Sequence, residues 1–580
     1  MCLRAVGALS SLAQPLARIA RAIAQLTRVK FALYAKKMWA GDRETTKGDA
    51  MRKMRNLTAF GAAFLGALAM ANASSDAATR GGKLIYARYA DSLFLDPVLN
   101  DANVDIWVLT NLYDTLLAPT DDGQGVQPSL ATKWDYSADG KTLTLTIRQG
   151  VKFSDGSPLT VDDVKWSLDR ARDPKAGEWN FTLAAVDTIE AKAPDTVVLH
   201  LKHADPTLIA ALATFNSAIL PQKLFEASPG ATEEDKAKAF AEHPIGTGPF
   251  AFGSWKRGEE MKLKRNDHYW KIADDGKPLP YLDELDFPVI PDDATRLLKL
   301  KAGEIDGTEL VPYARVQELK ADPNLRMELW PSTRIRFFTL FSGATYKNGD
   351  KNPLADEKVR QALNYAINKE AIIQITTLNL GKPLTSFMSS VTPLHSGSTE
   401  LYPYDPAKAK ALLAEAGYPN GFEFSCLALA GNGDDQSDMT AAQQMWAAIG
   451  VKLKIELVDN PTRTAKYRAE DFQCRGSLWT DDIADASEIT SYFAYYPNIH
   501  SLHSGYEDKR INELFEKSQG ETDPKTRAAE YKEIQDRYNA APPIVYLYET
   551  PYPVAFRKNA KGFVQIPLGN NIFEKAYVEK

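Results

Sequence analysis

The chain has 580 residues, a quarter of them charged, and its 69 Lys and Arg against 75 Asp and Glu leave a net charge of −6. That length supports several domains or two large lobes, and with no basic block a nucleic-acid partner is excluded as the natural reading. Three cysteines, Cys2, Cys426 and Cys474, are too few for a disulfide scaffold or a Cys-rich zinc module.

From Met51 the sequence M-R-K-M-R-N-L-T-A-F-G-A-A-F-L-G-A-L-A-M-A-N-A-S-S carries the three parts of a secretory signal. Arg52, Lys53 and Arg55 make a positive n-region, 57–70 a short apolar h-region, and Ala71-Asn72-Ala73 a small-residue cleavage site. The apolar run is shorter than the roughly 20 residues that span a bilayer, so a signal peptide over 51–73 and Sec-type export to the periplasm are expected. Residues 1–50 precede it and read as a start-site artefact, or alternatively as an Arg-rich presequence.

Residues 82–87 read as the opening strand of the mature protein, and 108–117 as a helix. Ala138-Asp139-Gly140 is a hairpin signal, because Asp and Gly tolerate the positive φ of tight turns. Leu143, Leu145 and Ile147 then alternate with three threonines, the period of a half-buried strand. Thr160 can cap the following helix, with Asp163 completing a capping box, and Val161, Val164, Leu168 and Ala171 form its apolar stripe. A strand at 196–201 follows. In the second half, 356–367 reads as a helix, and Asp405 caps another that begins at Pro406 and stops at Gly417. Strand 422–429, helix 440–449, strand 451–458, a further helix and strand 473–479 alternate as in a mostly parallel α/β layer. Cys426 and Cys474 fall on two of these strands. If the strands are adjacent, the thiols can pair in the export compartment; two separate buried thiols are the alternative.

No G-x-S-x-G elbow, H-E-x-x-H helix or phosphate-binding loop occurs, so no catalytic residue and no cofactor is expected. His200-x-x-His203 lies on a strand, where residues three apart face opposite sides. His500-x-x-His503 sits in a Ser/Asn-rich stretch that reads as a solvated loop rather than a metal site. The most informative segment follows Trp479, in L-W-T-D-D-I-A-D-A. Ligand crevices form at strand ends in open α/β layers. Acidic side chains there can hold a ligand ammonium, and the Trp can cover its apolar part. The alternative is an acidic capping loop before a helix at 487–494.

Several motifs occur in one order. Within 134–172 stand S-x-D-G-K-T, L-R-x-G-V-K-F-x-D-G-x-P-L-T (with Ile147 for the first Leu) and D-D-V-x-x-S-L. Beyond them come G-T-G-P-F at 246–250 with Trp255, Asn266 and Tyr269-Trp270, then Y-L-D at 281–283 and K-A-G-E-I-D at 301–306. From about residue 80 to the C-terminus the chain resembles the peptide/nickel class of bacterial extracytoplasmic solute-binding proteins. The resemblance implies a bilobed α/β periplasmic-binding-protein fold of type II with a two-strand hinge near 330–338 and 539–547. Lobe I would take 80–118, 243–338 and 539–580, with an accessory subdomain at 119–242; lobe II would take 339–538. It further implies a monomer without catalytic activity that captures a peptide or other amine-bearing solute and delivers it to an inner-membrane ABC permease.

In peptide-binding members a W-x-x-D-x-x-D-P segment anchors the ligand's α-amino group through its first Asp. Aligned on Trp479, Asp482 takes that role, Asp485 is the second Asp, Thr480 lies between, and Ala486 replaces the Pro. Asp96 belongs to an L-D-P segment that the family places at the cleft mouth. Dipeptide binders carry an Arg in the loop matching 430–436; here that loop offers Asp434 and Asp435 instead. A longer peptide, an opine-like conjugate or a cationic compound therefore suits the chain better than a dipeptide. A nickel or metal-chelate ligand would need His500 or His503 in the cleft, and a periplasmic peptide hydrolase or chaperone would need a nucleophile–base pair or metal cluster.

Overall fold

The hairpin and helix of 134–172 form as their residues dictate. In the computed structural model, which describes residues 78–579 apart from 101–102, 398–399 and 431, strands Ala131–Tyr136 and Thr142–Ile147 pair antiparallel around a turn with Gly140 at φ 69°. Leu143, Leu145 and Ile147 are buried while the intervening threonines are not. The Thr160 hydroxyl accepts the Asp163 N–H, and the Asp163 carboxylate accepts the Thr160 N–H, closing the capping box of helix Val161–Ala171. The expected signal peptide and the segment before it lie outside the described residues. No helix among the described residues is long and apolar enough to cross a membrane.

Two large sheets organise the chain. One has seven strands in the order Leu325–Trp330, Tyr552–Arg557, Gly307–Thr308, Lys83–Ala87, Glu284–Pro288, Glu260–Arg265 and Phe250–Lys256. The other has six: Lys382–Pro383, Ile544–Glu549, Ile335–Leu340, Cys474–Trp479, Glu423–Leu429 and Lys452–Val458. A separate four-stranded sheet holds the hairpin with Thr196–Leu201 and Val186–Lys192. The chain passes from the seven- to the six-stranded sheet at 331–334 and returns at 550–551. These two crossings touch, with the Thr550 N–H donating to the Arg334 carbonyl at 3.1 Å. Each large sheet has its own apolar core. One is gathered around Tyr86, Phe250 and Phe573, the other around Phe338, Leu363 and Trp446, whose indole donates to the Leu363 carbonyl. This is the mixed α/β, bilobed architecture that the sequence implied.

Three details differ from expectation. The six-stranded sheet as a whole is mixed: the three strands expected to be parallel are so, Glu423–Leu429 lying between Lys452–Val458 and Cys474–Trp479, but Ile335–Leu340 runs antiparallel to both its neighbours. The helix expected at 108–117 spans Asn103–Leu112 instead; the Leu112 carbonyl accepts the Gly248 N–H, and Leu117–Pro119 pairs as a strand with Val126–Pro128. The helix expected at 440–449 begins much earlier, at Gly433–Ala447. The supposed loop is its first turn, where the Asn432 side chain accepts the Asp435 N–H and two Asp carboxylates favour the positive helix end. On the parallel pair, Cys426 and Cys474 stand in register, 4.2 Å apart at Cα, and form a disulfide.

Candidate ligand-binding site

Strand Cys474–Trp479 ends where its register with Ile335–Leu340 ends, Trp479 standing opposite Ile335. The chain then turns into helix Ser487–Phe493. Trp479 is half-buried; its ring packs on Tyr492 and edge-on to Phe493, and its indole N–H donates to Asp481 Oδ1 at 2.9 Å. Asp481 is fully buried, and its other oxygen accepts the Thr392 hydroxyl at 2.6 Å while its N–H donates to the Thr333 hydroxyl. Glu488, buried in the first turn of the helix, accepts the N–H groups of Asp482 and Ile483 through Oε2, both at 2.9 Å. Its Oε1 has no hydrogen-bond partner among the described residues. Asp482 is half-buried, and its carboxyl accepts no hydrogen bond among the described residues.

Three carboxyl groups thus converge, and none of them has a salt-bridge partner among the described residues. Burial pushes Asp481 up to about 7, and burial with the neighbouring Asp481 charge does the same to Asp482. Glu488 is raised well above the usual carboxylate range by burial and by both aspartates. Like charges held together away from water either take up protons or require a cation. Half-buried Asp482 is the member of the group that a ligand can reach. No cluster of His, Cys, Asp and Glu among the described residues has the arrangement to hold a metal ion.

The loop also bridges the two sheets. Ile483 packs with Ile106, Trp179, Ala210 and Phe215, and Ala484 with Ile566 and Leu568, all from the part of the chain outside the six-stranded sheet. The Tyr552 hydroxyl donates to Thr480 Oγ1 at 3.3 Å, and Phe181 meets Tyr492 edge-on. The loop that carries the acidic group is therefore in contact with both parts of the chain.

The other expected site residues have partners of their own. Asp485 is buried in a bidentate pair with Arg527, both contacts at 2.7 Å. Asp435 accepts the Leu429 N–H and pairs with Arg336 at 3.2 Å and Arg463 at 3.6 Å. Asp96, with no exposed surface, accepts the amides of Val98 and Leu99 and pairs with Arg170. Asp434 is half-buried at the helix start, with no hydrogen bond to its carboxyl. His500 pairs with Glu470 and His503 meets the Tyr467 ring, so the two imidazoles have separate partners. Sequence reasoning missed Asp481 and Glu488. Asp481 was next to the residue that the motif selected. Glu488 looks like an ordinary first-turn acid, and only its bonds back to Asp482 and Ile483 give it away. A cavity of about 660 Å³ is lined by Asn111, Asp114, Trp270 and Glu574 among others, and by Phe215 and Ile566, which also pack on Ile483 and Ala484. Its polar lining is tied together, Trp270 to Asp114 and Lys271 to Glu574.

Comparison with known proteins agrees with this architecture. The profile of bacterial extracellular solute-binding proteins, family 5 (middle region), matches residues 125–501. The glutathione-binding protein GsiB of Salmonella typhimurium is 30% identical over 492 residues, which cover 83% of this chain and 92% of that one. Among solved structures, DppA from Helicobacter pylori in complex with the peptide STSA has a TM-score of 0.74 at 26% identity, covering 87% of this chain and 99% of that one. AgaA from A. tumefaciens R10 in complex with agropinic acid has a TM-score of 0.71 at 28% identity, over 86% and 99% of the two chains. With two sheet-based lobes, paired crossings and a match over most of its length, the chain belongs to the family 5 bacterial extracellular solute-binding proteins.

Proposed function

We propose that the protein is the periplasmic binding component of an ABC importer, capturing an amine-bearing solute and handing it to an inner-membrane permease. The observation that carries this reading is the group Asp481, Asp482 and Glu488, buried at a strand end with a free carboxyl and a free carboxylate oxygen but no cation. A ligand ammonium supplies the missing charge and up to three donors, and in a closed cleft such a bond is desolvated and strong. A peptide, such as the STSA bound by DppA, carries such a group. Asp482 and Trp479 would contact the ligand, while Asp485, Asp435 and Asp96 hold the scaffold through their arginines. A metal-chelate ligand is less well supported, because His500 and His503 are engaged with Glu470 and Tyr467.

The lobes meet at the crossings 331–334 and 550–551, and we take these as the hinge. Closure is a two-state rotation biased by a ligand that binds the closed form better. The protein acts alone as a monomer and performs no chemistry on its cargo. The test is a thermal-shift and mass-spectrometry screen of peptides and amino-acid conjugates, each with its N-acetylated counterpart. Free amines should raise the melting temperature and be recovered intact. N-acetylated compounds binding equally well, or cleavage of the peptides, would contradict the reading.

A further inference from the structure

The cavity of about 660 Å³ lies against the loop that carries the acidic group, because Phe215 and Ile566 belong to its lining and also pack on Ile483 and Ala484. Its walls come from the end of helix Asn103–Leu112, the paired strands Leu117–Pro119 and Val126–Pro128, the segment 269–272 and the C-terminal stretch 562–575. Leu109, Leu279, Val564 and Ile572 make much of the lining apolar, and Ile272, 58% exposed, carries it out to the surface. The volume is that of a pocket for a small organic molecule, for which the usual range is about 300–1,000 Å³.

The buried and half-buried charged groups of this lining are matched, with one exception. Lys271 and the Tyr269 hydroxyl both donate to Glu574 Oε2, at 2.6 and 2.7 Å. Asp114 accepts the Trp270 indole N–H at 2.9 Å and feels the Lys271 charge. Arg148 has no such partner. It follows strand Thr142–Ile147, and its backbone N–H donates to the Leu130 carbonyl at 2.7 Å. Its guanidinium lies over the Trp270 ring, 4.1 Å from the centroid, and its Nε donates to the Ser129 carbonyl at 3.3 Å. The two terminal nitrogens make no hydrogen bond or ion pair among the described residues. The buried arginines Arg170, Arg336 and Arg527, by contrast, each hold a carboxylate, from Asp96, Asp438 and Asp485.

With one face covered by the indole and Nε engaged, what Arg148 has left is the edge that carries its terminal N–H groups. That edge is a planar pair of donors, the shape that meets a carboxylate in two parallel bonds. We propose that the cavity is a binding site for a small organic acid, whose carboxylate takes the free edge of Arg148 and whose apolar body fills the space beside Leu109, Leu279 and Ile572. An inorganic anion satisfies the guanidinium but leaves the apolar walls uncovered, so it binds more weakly. The site is separate from the acidic group, needs no amine in its ligand and does not rest on the amine reading of Asp482.

The experiment uses calorimetry on the purified protein with hexanoate, 3-methylbutanoate and 4-phenylbutyrate, each beside its amide, and with inorganic phosphate. At least one acid is expected to bind about tenfold to a hundredfold more tightly than its amide, the scale of a hydrogen bond to a charged group, and more tightly than phosphate. Arg148→Gln should bind acid and amide alike, and Arg148→Lys should keep part of the preference. The wild-type comparison between acid and amide does not depend on whether a variant folds. Phenethylamine in excess should not displace the acid, because an amine belongs at Asp482. No binding by any of the three acids, equal binding of acid and amide, or an acid preference that survives in Arg148→Gln overturns the proposal. So does phosphate binding as tight as that of the best acid, or displacement of the acid by phenethylamine. Failure of the amine reading leaves the acid and amide results as they are, since none of those probes carries an amine.

Discussion

Replacing Asp482 by Asn keeps the shape of the side chain and removes its charge, and the structure gives this change two opposite consequences. In the proposed ligand complex, the half-buried Asp482 carboxylate would be the partner of the ligand ammonium. Removing one partner of such a desolvated pair costs about 2–5 kcal/mol, or about thirtyfold to several thousandfold in Kd. In the free protein, Asp482 adds charge to a buried group that already contains Asp481 and Glu488, and it raises the Glu488 carboxyl further. A neutral amide relieves that repulsion and can donate to the unpartnered Glu488 oxygen. Calorimetry with the bound solute should therefore show the affinity loss, while the ligand-free melting temperature at pH 8 stays level or rises. A melting temperature that falls while affinity is unchanged would refute the reasoning. The segment after Trp479 would then be only a capping turn.

Other consequences follow from the same contacts. Ordinary carboxyls ionise near pH 4 and Asp481 and Asp482 near 7, so the folded state binds more protons across that window. This contribution to stability is complete below about pH 4 and is lost as the pH rises through 7. The ligand-free wild type should lose melting temperature between pH 5 and 8 more steeply than Glu488→Gln, and parallel profiles would contradict this. Binding an ammonium ionises the group, so calorimetry in buffers of different ionisation heat should show proton release near pH 6–7. Asp485→Asn leaves the buried Arg527 without its carboxylate, and denaturant titration should show a loss of about 3–5 kcal/mol. Its effect on ligand affinity should be smaller than that of Asp482→Asn. Reducing the Cys426–Cys474 bond opens a loop with a sequence separation of 48, for which chain entropy sets a loss of at most about 4 kcal/mol, readable by denaturation with and without reductant.

What the sequence made legible was local. The capping box of Thr160 and Asp163, the alternation of Leu143, Leu145 and Ile147, and the Asp405 cap before helix Pro406–Glu415 all formed, because cap chemistry and side-chain period act within a few residues. The start of helix Gly433–Ala447 was missed for a related reason. Asn, Gly and Asp favour turns and helix N-termini alike, and only the bond from the Asp435 N–H to Asn432 decides between them. The place of the candidate site was readable from Trp479 and the aspartates after it. The division of labour among those aspartates was not. Asp485 is claimed by Arg527, 42 residues away, and Asp435 by Arg336, 99 residues away, and such pairings depend on the packed fold.

The proposed function requires a small amine-bearing solute held between the sheets and anchored on Asp482. Native mass spectrometry of the protein purified without refolding, followed by release and fragmentation of whatever it retains, tests this most directly. The expected result is one retained small molecule with a free amine, present in wild type and depleted in Asp482→Asn prepared in parallel. A retained molecule without an amine, or equal retention by both proteins, would contradict it.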